Sequence, residues 1–128
     1  MILTDTSVVI DYAKGQDAKL VALLPTLPAA ACGVTRAEML CGAHDPADRQ
    51  DLLNLLAGFH RVPIPEALWD MVGDNLAALR AGGVVVPFPD VVLATVAIAN
   101  GIELWTRDKH FALIQGVLPA LRLFQEPP

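Results

Sequence analysis

The sequence predicts an α/β domain: a small, mostly parallel sheet wrapped in helices. Three observations carry that expectation. Short apolar runs of strand length alternate with longer segments of helical periodicity. The helical segments dominate. Helix-opening residues stand directly after several of the strand-like runs. At 128 residues the chain fits one domain, residues 1–128, and suffices for a real core.

In order, Met1-Ile2-Leu3-Thr4 reads as a buried strand. Asp5-Thr6-Ser7 supplies capping residues for a short helix through Val8, Val9, Ile10, Tyr12 and Ala13, stopped by Gly15. Asp17 opens a second helix that ends before Pro25. Ala29 to Val34 reads as the second strand. Thr35-Arg36-Ala37-Glu38 has capping-box spacing and starts a helix to about Ala43. Asp45-Pro46 opens the next, with Leu52, Leu53, Leu55, Leu56 and Phe59 as an apolar band.

Arg61 to Ile64 is expected to form a brief strand. Pro65 opens a helix closed by Gly82-Gly83. Asp90 starts a helix to Asn100-Gly101 that is apolar nearly all round, hence buried on several sides. Residues 102–106 are the next strand, Asp108 starts a short helix, and Leu121 to Phe124 closes the sheet edge.

Composition narrows the function classes. The hydrophobic fraction is 54% with only 5% aromatic residues, above the ~45–50% usual for globular domains, so further apolar surface is expected to be covered in an oligomer or a partner. The longest apolar stretch, Val91 to Ile102, contains Thr95 and Asn100 and falls short of the ~20 residues of a membrane span. The first residues lack a basic region and Asp5 interrupts them, so no signal peptide is read and a cytoplasmic location is expected. Cys32 and Cys41 lack zinc-site spacing and are expected to be buried, reduced thiols. A net charge of −5 argues against a protein that holds nucleic acid through a broad basic surface. It leaves room for a nuclease in which cations and a few local arginines receive the phosphate.

Four carboxylates carry the functional expectation: Asp5, Glu38, Asp90 and Asp108. Asp5 and Asp108 follow strands. Glu38 lies at the start of a helix that follows one. Asp90 starts a helix that returns antiparallel to the strands, so its amino end lies at the same edge. In an open parallel sheet, ligands bind beyond the carboxyl ends of the strands. Four acids at one such edge repel one another unless cations intervene, and Mg²⁺ and Mn²⁺ favour oxygen ligands. Two such ions activate water and stabilise the leaving oxygen of a phosphodiester. Ser7 and Thr106 flank two of the acids and are candidates to orient them. Taken singly, each acid also has a capping explanation.

These segments resemble the PIN-domain family, and its VapC-like toxins in particular. The resemblance lies in Ile2-Leu3-Thr4-Asp5-Thr6-Ser7, Thr35-Arg36-Ala37-Glu38 with Leu40-Cys41-Gly42-Ala43, Pro89-Asp90-Val91-Val92-Leu93-Ala94, and Leu104-Trp105-Thr106-Arg107-Asp108-Lys109-His110-Phe111. It spans essentially the whole chain. It implies a three-layer α/β/α sandwich with a small, mostly parallel central sheet. It also implies a Mg²⁺- or Mn²⁺-dependent endoribonuclease with Asp5, Glu38, Asp90 and Asp108 as its acidic site. Thr106 matches an accompanying hydroxyl, and Ser7 a polar position near the first acid. A homodimer and a VapB-like antitoxin that blocks the site are implied as well. One departure is Val91-Val92-Leu93-Ala94-Thr95-Val96, where Ile-Ala-Ala-type sequences are more usual; that alters packing.

Other residues carry weaker expectations. Arg36, Arg107 and Lys109, beside the acids, are candidate RNA contacts, with ordinary surface charge the alternative. Asp11, where the family often has an acid, reads as a solvated helix position. His44, His60 and His110 are scattered, and His110 reads as surface packing. Trp69 and Trp105 read as core or interface residues. Ser7 lacks the setting of a serine nucleophile, and no phosphate-binding glycine loop is present. Two alternatives to the ribonuclease stand: a metal-dependent phosphatase or DNA nuclease with a similar acidic pocket, and a non-catalytic module that binds RNA or protein.

Overall fold

A computed structural model describes every residue from Met1 to Pro128. Four strands form one sheet: β1 (Ile2–Thr4), β2 (Ala29–Ala31), β3 (His60–Arg61) and β4 (Glu103–Trp105). Their order is β3-β2-β1-β4, and every pairing is parallel. Seven helices surround it: α1 (Thr6–Lys14), α2 (Ala18–Leu23), α3 (Gly33–Cys41), α4 (Pro46–Ala57), α5 (Leu68–Ala81), α6 (Phe88–Asn100) and α7 (His110–Val117). The α/β expectation holds, with the sheet wholly parallel.

Side-chain alternation along the strands creates two cores, one on each face. Leu3, Ala30 and Leu104 point into a cluster with Val72, Leu79, Leu93, Phe111 and Ile114 from α5, α6 and α7. Ile2, Ala29, Ala31 and Trp105 point the other way, against Val8, Val9, Leu20, Met39 and Leu56. These two cores and the sheet between them give the three layers. Seven consecutive residues of α6, Val91 to Ala97, are buried, as its unbroken apolar character predicts. The one polar side chain in that run, Thr95, donates to the Val91 carbonyl at 2.7 Å and accepts from Asn75 Nδ2 at 2.9 Å, so its hydroxyl is satisfied.

Several boundaries differ from expectation. The second strand stops at Ala31, and α3 already starts at Gly33. The Thr35–Glu38 capping box does not form. The Thr35 hydroxyl is buried and donates to the Thr4 carbonyl at 3.1 Å, tying α3 to the end of β1. Glu38 therefore lies in the second turn of α3. Asp90 is not a cap either: Pro87 caps α6 and Asp90 sits in its first turn. The third strand is shifted back to His60–Arg61, and the helix expected at Pro65 begins at Leu68. Cys32 is buried, but Cys41 is exposed. Leu121 to Phe124 contributes a single parallel bridge, Leu104 to Leu123, in place of a strand. Around it, Leu104 N donates to the Arg122 carbonyl and Phe124 N to the Leu104 carbonyl, both at 2.8 Å. The Phe124 ring packs against Trp105 with centroids 4.7 Å apart.

Candidate active site

The carboxyl ends of β1 and β4 lie side by side, and the Asp5 amide donates to the Trp105 carbonyl at 2.9 Å. Asp5 is the most deeply placed of the acids, 5% exposed. Its Oδ1 accepts from the Thr6 amide at 2.7 Å. Its Oδ2 accepts from the Ser7 hydroxyl at 2.7 Å and from the Thr106 hydroxyl at 2.8 Å. Three donors fix the orientation of one carboxylate and offset the cost of burying its charge. Asp5 also caps α1, so its structural and chemical roles coexist.

The hydroxyls extend this order to the last acid. Thr106 Oγ1 accepts from the Asp108 amide at 2.9 Å, and Ser7 Oγ accepts from the Arg107 amide at 3.1 Å. The turn after β4 is therefore pinned to the turn after β1. Asp108 in turn accepts from the His110 amide at 2.9 Å.

Asp90, Asp108 and His110 converge. One ligand atom from each lies within 4.8 Å of the other two. His110 Nδ1 is 3.3 Å from Asp90 Oδ2 and 3.4 Å from Asp108 Oδ1. Asp90 is the more enclosed, its side chain 14% exposed against 38% for Asp108. Its carboxyl is pushed up to about 6, chiefly by burial, then by the charges of Asp5 and Asp108, with the hydrogen bond from His110 opposing the rise. A carboxylate raised by burial and further by neighbouring carboxylates is one that a divalent cation relieves, so these acids fit an oxygen-seeking ion. Glu38 stands apart from this group. Its Oε1 accepts from the Thr6 hydroxyl at 2.8 Å, which ties it to the start of α1. The structure thus brings Asp90 and Asp108 together, places Asp5 close enough for its charge to act on Asp90, and holds Glu38 at the rim.

His110 was not expected here. Its signal was weak: it stands two residues after Asp108, but its other partner, Asp90, is twenty residues away with a strand between. Asp11 lies on α1 with its side chain 39% exposed, as expected of a solvated helix position, and it pairs with Arg107. The Arg107 guanidinium meets three carboxylates, Asp11 at 3.0 Å, Asp17 at 2.9 Å and Glu126 at 2.7 Å. Its contact with Glu126 is bidentate. Glu126 is held below its ordinary value chiefly by that guanidinium, and Asp17 is held low first by the Leu20 amide and then by Arg107. Arg107 is thus committed within the fold. Arg36 makes no side-chain ion pair, and Lys109 stands exposed just before α7.

A PIN domain family model matches residues 2–117. The chain belongs to the PIN domain family. Ribonuclease VapC32 of Mycobacterium tuberculosis is 34% identical over 112 residues, 86% of each chain. The PIN fold recurs in VapBC2 from Rickettsia felis, crystallised on a DNA fragment from its promoter, with a TM-score of 0.81 at 20% identity over 97% of this chain and 98% of that one. VapBC-5 from Mycobacterium tuberculosis superposes with a TM-score of 0.70 at 25% identity, covering 97% of each chain.

Proposed function

We propose that this PIN domain is a Mg²⁺- or Mn²⁺-dependent endoribonuclease and the toxin of a toxin–antitoxin pair. The observation that carries the reading is the convergence of Asp90 and Asp108 beside the charge of Asp5 in a member of this family. The named relative, a ribonuclease, gives the reaction its substrate class. Asp5, Asp90 and Asp108 would hold one or two divalent cations, with Glu38 reaching in from α3. When bound, the cation acidifies a coordinated water and neutralises charge on the phosphodiester.

The chain's own residues prepare that chemistry. Ser7 and Thr106 fix the Asp5 carboxylate so that it does not reorganise when substrate arrives. Asp108 is set by its amide contact with Thr106, and His110 tempers the repulsion between Asp108 and Asp90. Water attacks phosphorus in line, and no protein nucleophile is required. Arg36 and Lys109 supply positive charge near the RNA path.

The surrounding biology is read from the relatives and the surface. Solved structures of VapBC pairs share the fold, and we assign this chain a VapB-like antitoxin as its partner. Val85 and Phe88 are 94% and 53% exposed, Trp69 and Met71 on α5 are exposed as well, and we assign such apolar surface to a homodimer. No helix is long and apolar enough to cross a membrane. Together with two free cysteines this supports a cytoplasmic protein, residues 1–128 acting as one domain.

The test is cleavage of single-stranded RNA by purified Asp5→Asn and Asp90→Asn variants. Both are expected to lose cleavage while keeping the wild-type circular-dichroism spectrum. Full activity in either defeats the assignment, and a panel of RNA, DNA and phosphomonoesters identifies the substrate class.

A further inference from the structure

Beyond the acids, the carboxyl ends of β2 and β3 carry a second feature. A cavity of about 520 Å³ opens between the start of α3 and the segment following β3. Its walls include Cys32, Gly33, Phe59 and Ile64, and two arginines, Arg36 and Arg61, stand at it. No acidic residue lines it. Every salt bridge in the molecule involves Arg107 or His110, so both guanidiniums here are uncompensated. In a chain of net charge −5, this apolar hollow is flanked by two arginines and by no acid. The volume lies within the ~300–1,000 Å³ of small-molecule pockets.

The sheet order places this cavity beside the acidic site. Asp5 ends β1, and β3 lies two strands away, roughly 10 Å at the ordinary strand spacing. Both features open at the same sheet edge. We propose that the cavity is a nucleotide subsite: it takes an unpaired base of the RNA next to the cleaved bond, while Arg36 and Arg61 bind that nucleotide's phosphate. The apolar wall faces the base and the guanidiniums meet the backbone, the division of labour that single-stranded nucleic acid requires. A protein segment that neutralised the acids would itself be cationic, and these two arginines would repel it. This inference rests on the ribonuclease reading above.

Gly33 permits a direct test. A Cβ built there meets nothing within 4 Å, and its backbone is not in the left-handed region. Gly33→Leu therefore adds apolar bulk at a residue that lines the hollow, starting from open space at its Cβ, and a circular-dichroism melt verifies the fold. Binding of a fluorescein-labelled single-stranded RNA is read by anisotropy in Ca²⁺, alongside cleavage of the same RNA by the wild-type protein in Mg²⁺. Gly33→Leu is expected to weaken binding roughly tenfold, within the range for losing one stacked base. An abasic substitution at the nucleotide in the subsite should erase the difference between Gly33→Leu and wild type. Arg61→Gln should reduce the salt dependence by about 0.7 in the slope of log Kd against log salt, and Arg61→Lys should keep most of it.

If the wild-type protein cuts RNA while Gly33→Leu and Arg61→Gln bind it normally, the subsite is wrong and the ribonuclease stands. The subsite is equally overturned if Gly33→Leu changes only antitoxin binding or assembly size. If the wild-type protein cuts no RNA, the ribonuclease reading fails and the subsite falls with it.

Discussion

Asp90 offers the sharpest quantitative test of the site, because its carboxyl is destabilised where it stands. Its folded value of about 6 lies above the ordinary 3.8. At about 1.4 kcal/mol per pH unit, that gap corresponds to a penalty of order 3 kcal/mol for keeping the side chain ionised in the folded, cation-free protein. Asp90→Asn removes the charge and keeps the shape. The sign follows from linkage. Above about pH 6 the group is ionised in both states and the full penalty applies. Between about 6 and 4 the folded state binds the proton more tightly, so wild-type stability rises as pH falls. Below about 4 both states are protonated and the penalty is gone.

Cation-free Asp90→Asn should therefore be more stable than wild type at pH 7.5 by about 1.5–3 kcal/mol, and the difference should shrink towards zero near pH 4. In a domain of this size that is a rise in Tm of roughly 5–12 °C. Urea denaturation in chelator at pH 7.5, 6, 5 and 4 measures it directly. An Asn variant no more stable at pH 7.5, or a gap that is flat across that range, refutes the claim that burial and the neighbouring acids penalise the Asp90 charge.

Two further outcomes follow from the same geometry. Millimolar Mg²⁺ or Mn²⁺ should raise the wild-type Tm, because the cations bind only the assembled acids, and the rise should be much smaller in Asp90→Asn; equal rises in the two proteins would place the binding elsewhere. Arg107→Gln should lower stability by about 1 kcal/mol through loss of its bidentate pair with Glu126. Because Glu126 and Asp17 are held low in the folded state, that loss should be full above about pH 4.5 and fade as pH falls below it; an undiminished loss at pH 3 counts against the ion-pair explanation.

What the sequence made legible was the part of the site governed by local rules. Asp5-Thr6-Ser7 reads as strand end, cap and hydroxyl donor within three residues, and the structure uses each of them. The short apolar runs at Ile2-Leu3 and Leu104-Trp105 foretold buried strands. Long-range partners were less accessible. Thr35 has capping-box spacing, yet the Thr4 carbonyl, thirty-one residues away, claims its hydroxyl. Asp90 resembles a cap, but Pro89 is also at home in a first helical turn, and α6 begins at Phe88. Arg107 finds its strongest partner in Glu126, near the end of the chain, and His110 finds Asp90 across a strand. No spacing rule anticipates pairs that only the sheet order brings together.

The bond from Thr106 to Asp5 joins residues 101 positions apart. β1 is made well before β4, so its acid is oriented by a turn that is synthesised about a hundred residues later. A growing chain carries Asp5, Glu38 and even Asp90 without Asp108 or either tether from the turn after β4. The arrangement of acids is thus completed only once residues 106–108 have joined the sheet, so the order of synthesis and the order of assembly of the site differ.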